Sequence, residues 1–187
     1  MRRWLGPLKR LTILLVLFAA IWIWASKDDL AGRADIIDGD SIEIGGAKIR
    51  LYGIDAPELG QDCLDRSGAT YACGRLAKRH LERVATGTVT CEVVETDHYG
   101  RDVSICFAGD TDLGAAMVSA GWARAYLSYS LRYASEEQAA RRARRGLWDG
   151  EFDDPWAFRE DGVKDDLIAV AWRWLMDNWR WVLEQVI

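Results

Sequence analysis

The sequence has no excess of positive charge. Its 24 Lys and Arg residues are outnumbered by 29 Asp and Glu residues, which gives a formal net charge of −5. A protein that grips nucleic acid through bulk electrostatics needs a basic surface. That mode of binding is therefore excluded, and any action on nucleic acid must depend on local basic groups around a site.

Other scarcities narrow the class of protein. Proline occurs only three times, and 50% of the residues are hydrophobic while 28% are charged. This globular composition, which contains no internal repeat, excludes collagen-like, low-complexity and disordered chains. The length of 187 residues allows one domain of ordinary size with some residues to spare.

Tryptophan is scarce in the middle of the chain and abundant at its ends. Of ten tryptophans, only Trp122 and Trp148 fall between residues 33 and 148. A soluble core does not distribute its largest side chain in this way, so the compact domain carries two chemically different ends. We expect three parts, namely a leader at 1–32, a domain at 33–150 and an extension at 151–187.

The leader has the pattern of an export signal. Basic residues precede the apolar run Leu11–Ala25, and Lys27–Asp29 ends it. This order predicts a signal peptide or signal anchor that sends the rest of the chain across the membrane. This run of fifteen residues is short against the roughly 20 that span a bilayer, but Trp22 and Trp24 suit a membrane interface. We expect an anchored domain outside the cytoplasm, periplasmic or extracellular, or a secreted one if the leader is cleaved.

The four cysteines are predicted to form disulfides, which persist outside the cytoplasm. Three pairings are possible. Cys91 and Cys106 lie about equally far from the centre of a predicted hairpin turn and should face each other, while Cys63 and Cys73 would close a short loop. A zinc site is the alternative, which the absence of any CxxC pair disfavours.

Short strands and helices alternate in the domain. Helical spacing predicts helices over Gly74–Ala85 and about Leu113–Ala120, and a capping box at Ser135 opens a third that Gly146 ends. The polar residues 60–73 are predicted to be a loop. Strands are predicted at Ala34–Ile37, Ser41–Ile44, Ala47–Tyr52, Val89–Glu95 and Val103–Phe107. Five short strands with helices between them fit an α+β fold, a five-stranded Greek-key barrel of the oligonucleotide-binding type (OB-fold) with three helices.

Three stretches combine carboxylates with arginines. They are DGDS at 38–41, RLYGIDAPE at 50–58 and DHYGR at 97–101. Hard oxygen ligands such as Asp40 and Asp55 suit Ca²⁺ or Mg²⁺. Glu58 could act as a general base on water, while Arg50 and Arg101 could neutralise the charge of a pentacoordinate phosphate. An ion-pair network on a barrel rim would use the same residue types, so both interpretations stay open.

Together with Cys73–Gly74, Gly121–Ala123 and Gly146–Trp148, these stretches resemble the thermonuclease (staphylococcal-nuclease-like) family, in order from about residue 33 to 150. The resemblance implies an OB-fold barrel with three helices and Ca²⁺-dependent hydrolysis of DNA and RNA, leaving 3′-phosphate ends. The alternative is a catalytically idle nuclease-like module that binds nucleic acid or protein at the membrane. An idle member would be expected to lack carboxylates or arginines that are all present here.

The resemblance also implies a metal site. Asp40 and Asp55 match the family's side-chain calcium ligands, and Ala56 stands where a threonine gives only its backbone carbonyl to the metal. Glu58 matches the general base. Asp38 matches an acidic residue that assists the metal from the outer shell.

The substrate-binding residues follow from the same resemblance. Arg50 and Arg101 match the phosphate-binding arginines, and Tyr99 matches a tyrosine near the 3′ phosphate of the nucleotide. The family's pair of pocket tyrosines has no unambiguous counterpart. The candidates are Tyr126 and Tyr129, with Tyr133 as a third.

The extension predicts an amphipathic helix from about Asp161. Apolar residues recur at helical spacing from Leu167 to Val186, with four tryptophans within ten residues. Charged residues such as Arg173 and Asp177 make it unsuitable for spanning a membrane. We expect it to lie in the membrane interface, with a partner helix or the barrel as alternative docking places.

Overall fold

A computed structural model describes residues 30–160, 167–168 and 170–176. The predicted leader up to residue 29 lies outside these residues, as does most of the predicted C-terminal helix. Among the residues that the structure describes, no helix has both the length and the apolar character needed to cross a membrane.

The strands are β1 (Leu30–Gly32), β2 (Asp35–Ile36), β3 (Ser41–Ile44), β4 (Ala47–Leu51), β5 (Ile54–Asp55), β6 (Cys63–Leu64), β7 (Thr70–Tyr71), β8 (Val89–Thr96), β9 (Asp102–Ala108), β10 (Thr111–Asp112) and β11 (Arg124–Ala125). The helices are α1 (Cys73–Val84), α2 (Leu113–Ser119) and α3 (Ala134–Arg142), followed by a 3₁₀ turn at Gly146–Asp149. Residues 155–160 and 170–176 are also helical.

The first two strands, β1 and β2, close the main sheet into a barrel by pairing with its opposite ends. Its strand order is β1-β8-β9-β4-β3-β2, with β10 beside β9, and only the β4–β9 pair is parallel. Only Arg33 and Ala34 separate β1 from β2, yet β1 pairs with β8 and β2 pairs with β3 at the other end. Five segments of chain therefore form the predicted barrel. Residues 30–32, which precede the predicted boundary at residue 33, belong to the barrel.

Alternation along the strands fills the barrel with aliphatic side chains. Ile42, Ile49 and Leu51 of β3 and β4 are at most 2% exposed. Helix α1 covers the barrel with Ala77 and Leu81, four residues apart on one face and both fully buried. This packed core fixes the positions of the polar residues at the ends of β3, β4 and β5.

The predicted loop at 60–73 is wrong in detail, because it contains a hairpin of β6 and β7. Two-residue strands are too short to show any hydrophobic period, so the sequence did not reveal them. Leu64 of β6 also forms an isolated bridge with Glu151, through backbone hydrogen bonds of 2.9 Å in both directions. The hairpin therefore ties the chain beyond the 3₁₀ turn to the domain.

Both predicted disulfides are confirmed. Cys91 and Cys106 are direct partners across the β8–β9 ladder, with Cα atoms 4.1 Å apart. Cys63 and Cys73 join the hairpin to the start of α1, with Cα atoms 5.6 Å apart. The described residues contain no free cysteine.

The capping box predicted at Ser135 is not formed. Helix α3 begins one residue earlier, and the Ser135 hydroxyl bonds the carboxylate of Glu136 instead. Tyr133 precedes the helix, is 3% exposed, and donates its hydroxyl to Asp112 Oδ1 at 2.9 Å. The same Asp112 oxygen caps α2 by accepting from the Ala115 N–H at 3.0 Å. Tyr133 thus joins two helices.

Candidate active site

The carboxylates of the first two stretches meet at one end of the barrel. Asp40 lies just before β3, and its neighbour Ser41 is paired with Arg50 of β4. Asp55 lies at the end of β5. Arg50 Nη2 donates to Asp40 Oδ2 at 3.0 Å and to Asp55 Oδ1 at 2.8 Å. Register and strand ends therefore bring two carboxylates, each only 4% exposed, onto one guanidinium nitrogen.

The loop before β3 is held tightly in place. Asp38 Oδ1 accepts from the Asp40 N–H at 3.0 Å, and Asp40 Oδ2 accepts from the Ala56 N–H at 3.1 Å. A Cβ on Gly39 would lie 2.6 Å from the Ala56 Cβ and 2.9 Å from that of Ala77. Glycine is required here because the loop passes directly between the β5 segment and α1.

Burial and crowding of like charge perturb this cluster. Burial, together with the charges of Asp40 and Glu58, raises the pKa of Asp38 to about 6. Burial and the charge of Asp40 also raise the pKa of Asp55, although the charges of Arg159 and Arg50 act in the opposite direction and lower it. The cluster therefore holds more negative charge than its arginine partners compensate.

Glu58 lies beside the cluster with 34% of its side chain exposed. Its backbone N–H donates to Oε1 of the fully buried Gln61 at 3.2 Å. A Cβ on Gly74 would lie 1.7 Å from the Glu58 carbonyl oxygen, so the start of α1 touches this backbone directly. The Glu58 carboxylate is therefore partly exposed to solvent, while its backbone is held in place.

The second arginine is held by its own turn. Arg101 Nε and Nη2 both lie 2.8 Å from Asp97 Oδ2, and the guanidinium carbon lies 5.5 Å from the centre of the Tyr99 ring. Among the described residues, Arg101 makes no hydrogen bond to the carboxylate cluster. Arg50 and Arg101 nevertheless line the same groove, of about 350 Å³.

Aromatic side chains form the wall of that groove. Tyr126 and Tyr129 are 45% and 41% exposed and stack with ring centres 5.9 Å apart, while Tyr99 is 75% exposed. Burial, and the hydrogen bond from its hydroxyl to Glu95, raise the pKa of Tyr129 to about 12. Tyr133, the third pocket candidate, is buried between α2 and α3 and does not line the groove.

Arg159 is a residue of this site that the sequence interpretation missed. Its Nη1 donates to Glu58 Oε1 at 2.7 Å, and its Nη2 donates to Asp55 Oδ1 at 2.9 Å. It lies in the predicted extension, more than a hundred positions from its partners. The only signal was its isolation, since no other basic residue occurs between Arg145 and Lys164.

Among the residues that the structure describes, no three His, Cys, Asp or Glu side chains are close enough together to form a metal site. Guanidinium groups stand among the carboxylates instead. However, oxygens of Asp40 and Asp55 both lie within 3.0 Å of one Arg50 nitrogen, so they already converge on a single positive centre. The two buried carboxylates supply hard oxygen donors, which fit a hard divalent cation such as Ca²⁺, while the Ala56 backbone contacts Asp40 through its N–H.

The sequence of this chain is similar to the sequences of known proteins. Residues 48–150 match the family described as Staphylococcal nuclease homologue. The chain is 33% identical over 182 residues to a micrococcal nuclease of Shigella flexneri, a match that covers 85% of this chain and 95% of that protein. It is 33% identical over 154 residues to an uncharacterized endonuclease of Escherichia coli O157:H7, covering 78% and 94% of the two chains.

A third relative has a different kind of name. The succinoglycan biosynthesis protein ExoI of Rhizobium meliloti (strain 1021) is 38% identical over 128 residues, which cover 66% of each chain. The family match alone spans more than half of the 187 residues. With the barrel and its cluster of carboxylates and arginines, these likenesses show that the chain belongs to the staphylococcal nuclease family.

Proposed function

We propose that this protein is a nuclease that uses Ca²⁺ to hydrolyse phosphodiester bonds of DNA, RNA or both, leaving 3′-phosphate ends. The observation that carries the proposal is the convergence of Asp40 and Asp55 on one positive centre, with Glu58 beside them. The micrococcal nuclease and endonuclease relatives support the same reaction class.

Each residue of the cluster has a role in this mechanism. Asp40, Asp55 and the backbone carbonyl of Ala56 would hold calcium, which supplies positive charge to bind a phosphate oxygen. Glu58 is 34% exposed at its side chain and can reach solvent, so it orients the attacking water and accepts its proton. Asp38 stands behind Asp40 and fixes its backbone.

The arginines act on charge that develops during the reaction. Arg50 lies at the cluster itself, and its guanidinium donates to the equatorial oxygens of the pentacoordinate phosphate. Arg101 lines the same groove, and Asp97 restricts its rotamers, so less freedom is lost when it binds phosphate. Two guanidinium groups that are already held in position can stabilise more negative charge than one. The effect is larger because the groove is partly shielded from water.

The groove also suits a nucleotide. The exposed, stacked rings of Tyr126 and Tyr129 offer faces on which a base can stack, and Tyr99 stands near Arg101 for a phosphate contact. Stacking is tolerant of sequence, which is consistent with action on both DNA and RNA.

We also propose that the domain lies outside the cytoplasm, an inference supported by its cysteines and by the composition of its two terminal segments. Two disulfides are stable in an oxidising compartment, which supports export of the domain to the periplasm or the exterior. The apolar leader would anchor it in the membrane, or would be removed to give a secreted protein. Apolar side chains exposed at residues 167–168 and 170–176, including Trp172 and Trp174, would supply a second membrane contact.

The reaction is tested with the purified full chain on single-stranded DNA and RNA, in Ca²⁺ or in chelator. We expect cleavage only with Ca²⁺, products whose ends lose phosphate to a phosphatase, and a fall in kcat of about 100-fold or more in Glu58→Gln. Glu92→Gln, which removes an exposed carboxylate from β8, is the matched control and should retain full activity. Oligonucleotide binding without cleavage by the full chain would identify an idle binding module instead. An unimpaired Glu58→Gln would show that Glu58 is not the general base.

A further inference from the structure

Arg159 occupies the carboxylate oxygens that the proposed reaction needs. Asp55 Oδ1, which accepts from Arg159 at 2.9 Å, belongs to the proposed calcium site. Glu58 Oε1, which accepts at 2.7 Å, belongs to the proposed base. A guanidinium at this place repels a second cation and uses the oxygen that a water molecule would contact.

The chain leading to Arg159 is firmly attached to the domain. Glu151 pairs with Leu64 through two backbone hydrogen bonds, and the Gln61 side chain donates to the Asp153 carbonyl at 2.8 Å. Asp154 forms an ion pair with Arg124. Pro155, at the start of the helix 155–160, is buried. Arg159 therefore lies one helical turn after a segment whose position is fixed by the domain.

The helix 155–160 itself is packed only lightly. Trp156 and Phe158 are 49% and 38% exposed, and the Arg159 side chain is 38% exposed. Its ion pairs thus hold the helix against the site more than apolar contact does. The pair with Glu58 is open to solvent on both sides, with side chains 38% and 34% exposed, and such pairs are weak. Asp55 is buried, but its partner Arg159 is open to solvent, so a divalent cation that binds Asp55 can take the place of this guanidinium.

We propose that the helix 155–160 is an autoinhibitory plug, in which Arg159 is a tethered cation that competes with calcium for Asp55 and with water for Glu58. This inference rests on the proposed function and adds a regulatory device to it. Calcium binding would release the helix and open the cluster, so the metal both completes the site and unblocks it.

Calorimetric titration of the purified full chain with Ca²⁺, without nucleic acid, tests the competition. We expect Arg159→Gln to bind Ca²⁺ about tenfold more tightly than the unaltered protein, and Arg159→Lys to fall between them. Arg173→Gln removes the same charge from the exposed helix 170–176 and should leave the affinity unchanged. Hydrogen exchange should also show the amides of residues 156–160 exchanging faster with Ca²⁺ in the unaltered protein, and those of β4 not.

The outcomes separate the plug from the nuclease. Equal Ca²⁺ affinity in Arg159→Gln and the unaltered protein, absence of Ca²⁺ binding in both, or slower exchange of residues 156–160 with Ca²⁺ overturns the plug. Unchanged affinity with a lower kcat at saturating Ca²⁺ makes Arg159 a substrate-binding residue and also overturns it. Tighter Ca²⁺ binding in Arg159→Gln without cleavage by any variant supports the plug and refutes the nuclease.

Discussion

Gln61 holds the backbone of Glu58 in place. Its Oε1 accepts from the Glu58 N–H at 3.2 Å, and the whole side chain is buried. Its Nε2 donates to the Asp153 carbonyl at 2.8 Å, so one amide fixes both the proposed base and the segment that delivers Arg159. Replacing this amide therefore tests how far activity depends on the placement of Glu58.

Gln61→Met keeps the volume of the side chain and removes both hydrogen bonds. We expect the free energy of unfolding to fall by about 1–3 kcal/mol, because two partly buried hydrogen bonds are lost and the Gln61 site itself is fully buried. We also expect kcat to fall about tenfold with little change in KM, because Glu58 is then less well placed to act on water. Thermal unfolding and steady-state kinetics measure the two effects.

The matched control is Gln138→Met on the exposed side of α3, which should change neither quantity. If Gln61→Met loses stability but keeps its kcat, then Gln61 has a structural role only.

Gly74→Ala should destabilise the domain, because the new Cβ would lie 1.7 Å from the Glu58 carbonyl oxygen. A backbone atom cannot move aside as a flexible side chain does, so we expect a loss of about 3 kcal/mol in denaturant unfolding. Gly60→Ala, in the same region, places its Cβ where nothing lies within 4 Å and should be close to neutral. Equal stability of the two variants would contradict the close approach of α1 to Glu58.

Two of the candidate pocket tyrosines, Tyr126 and Tyr133, should differ in the effect of their replacement. Tyr126 is 45% exposed in the groove, so Tyr126→Ala should raise KM for single-stranded DNA about tenfold through lost stacking, with little effect on stability. Tyr133 is buried and its hydroxyl bonds Asp112, so Tyr133→Phe should cost about 1 kcal/mol of stability and leave KM unchanged. The reverse pattern would place the base-stacking surface at Tyr133.

The raised pKa of Asp38 predicts a pH dependence of stability in the metal-free protein. Between its ordinary value of 3.8 and about 6, the unfolded chain has lost this proton while the folded chain keeps it. The folded state then binds more protons, so the free energy of unfolding decreases as pH rises through this window and levels off above it. The effect is on the order of 2 kcal/mol.

Asp38→Asn should flatten this dependence and leave the protein more stable than the unaltered chain at pH 7 in chelator. Denaturant unfolding at pH 4 to 7 measures it, with Asp35→Asn on exposed β2 as the control. A profile that stays the same in Asp38→Asn would show that this carboxyl does not titrate in the window.

Local patterns were sufficient to predict the parts of the barrel that have a strong period. Strand β3 matches its prediction to the residue, since Ile42 and Ile44 alternate with polar neighbours between two turns. The facing cysteines Cys91 and Cys106 could be predicted because a hairpin turn alone determines their register. Asp40 and Arg50 could be assigned to one site from their residue types and the family resemblance, and their direct contact became visible only with the register of β3 and β4.

Features that depend on distant parts of the chain were not visible in the sequence. The predicted strand at 34–37 is only two residues long because the segment divides its pairing between β8 and β3. Ser135 does not cap α3, since tertiary contacts of Tyr133 with Asp112 set where the helix begins. Arg159 reaches Glu58 because residues 151–154 are attached to the domain by Leu64, Gln61 and Arg124, and no local pattern encodes these attachments.

Strand β6 connects two features that are otherwise unrelated. Cys63 is bonded to Cys73, and the next residue, Leu64, binds Glu151 through its backbone. Loss of the Cys63–Cys73 bond would therefore loosen the support from which Arg159 extends. A covalent link beside helix α1 thus helps to position a guanidinium that lies far along the chain.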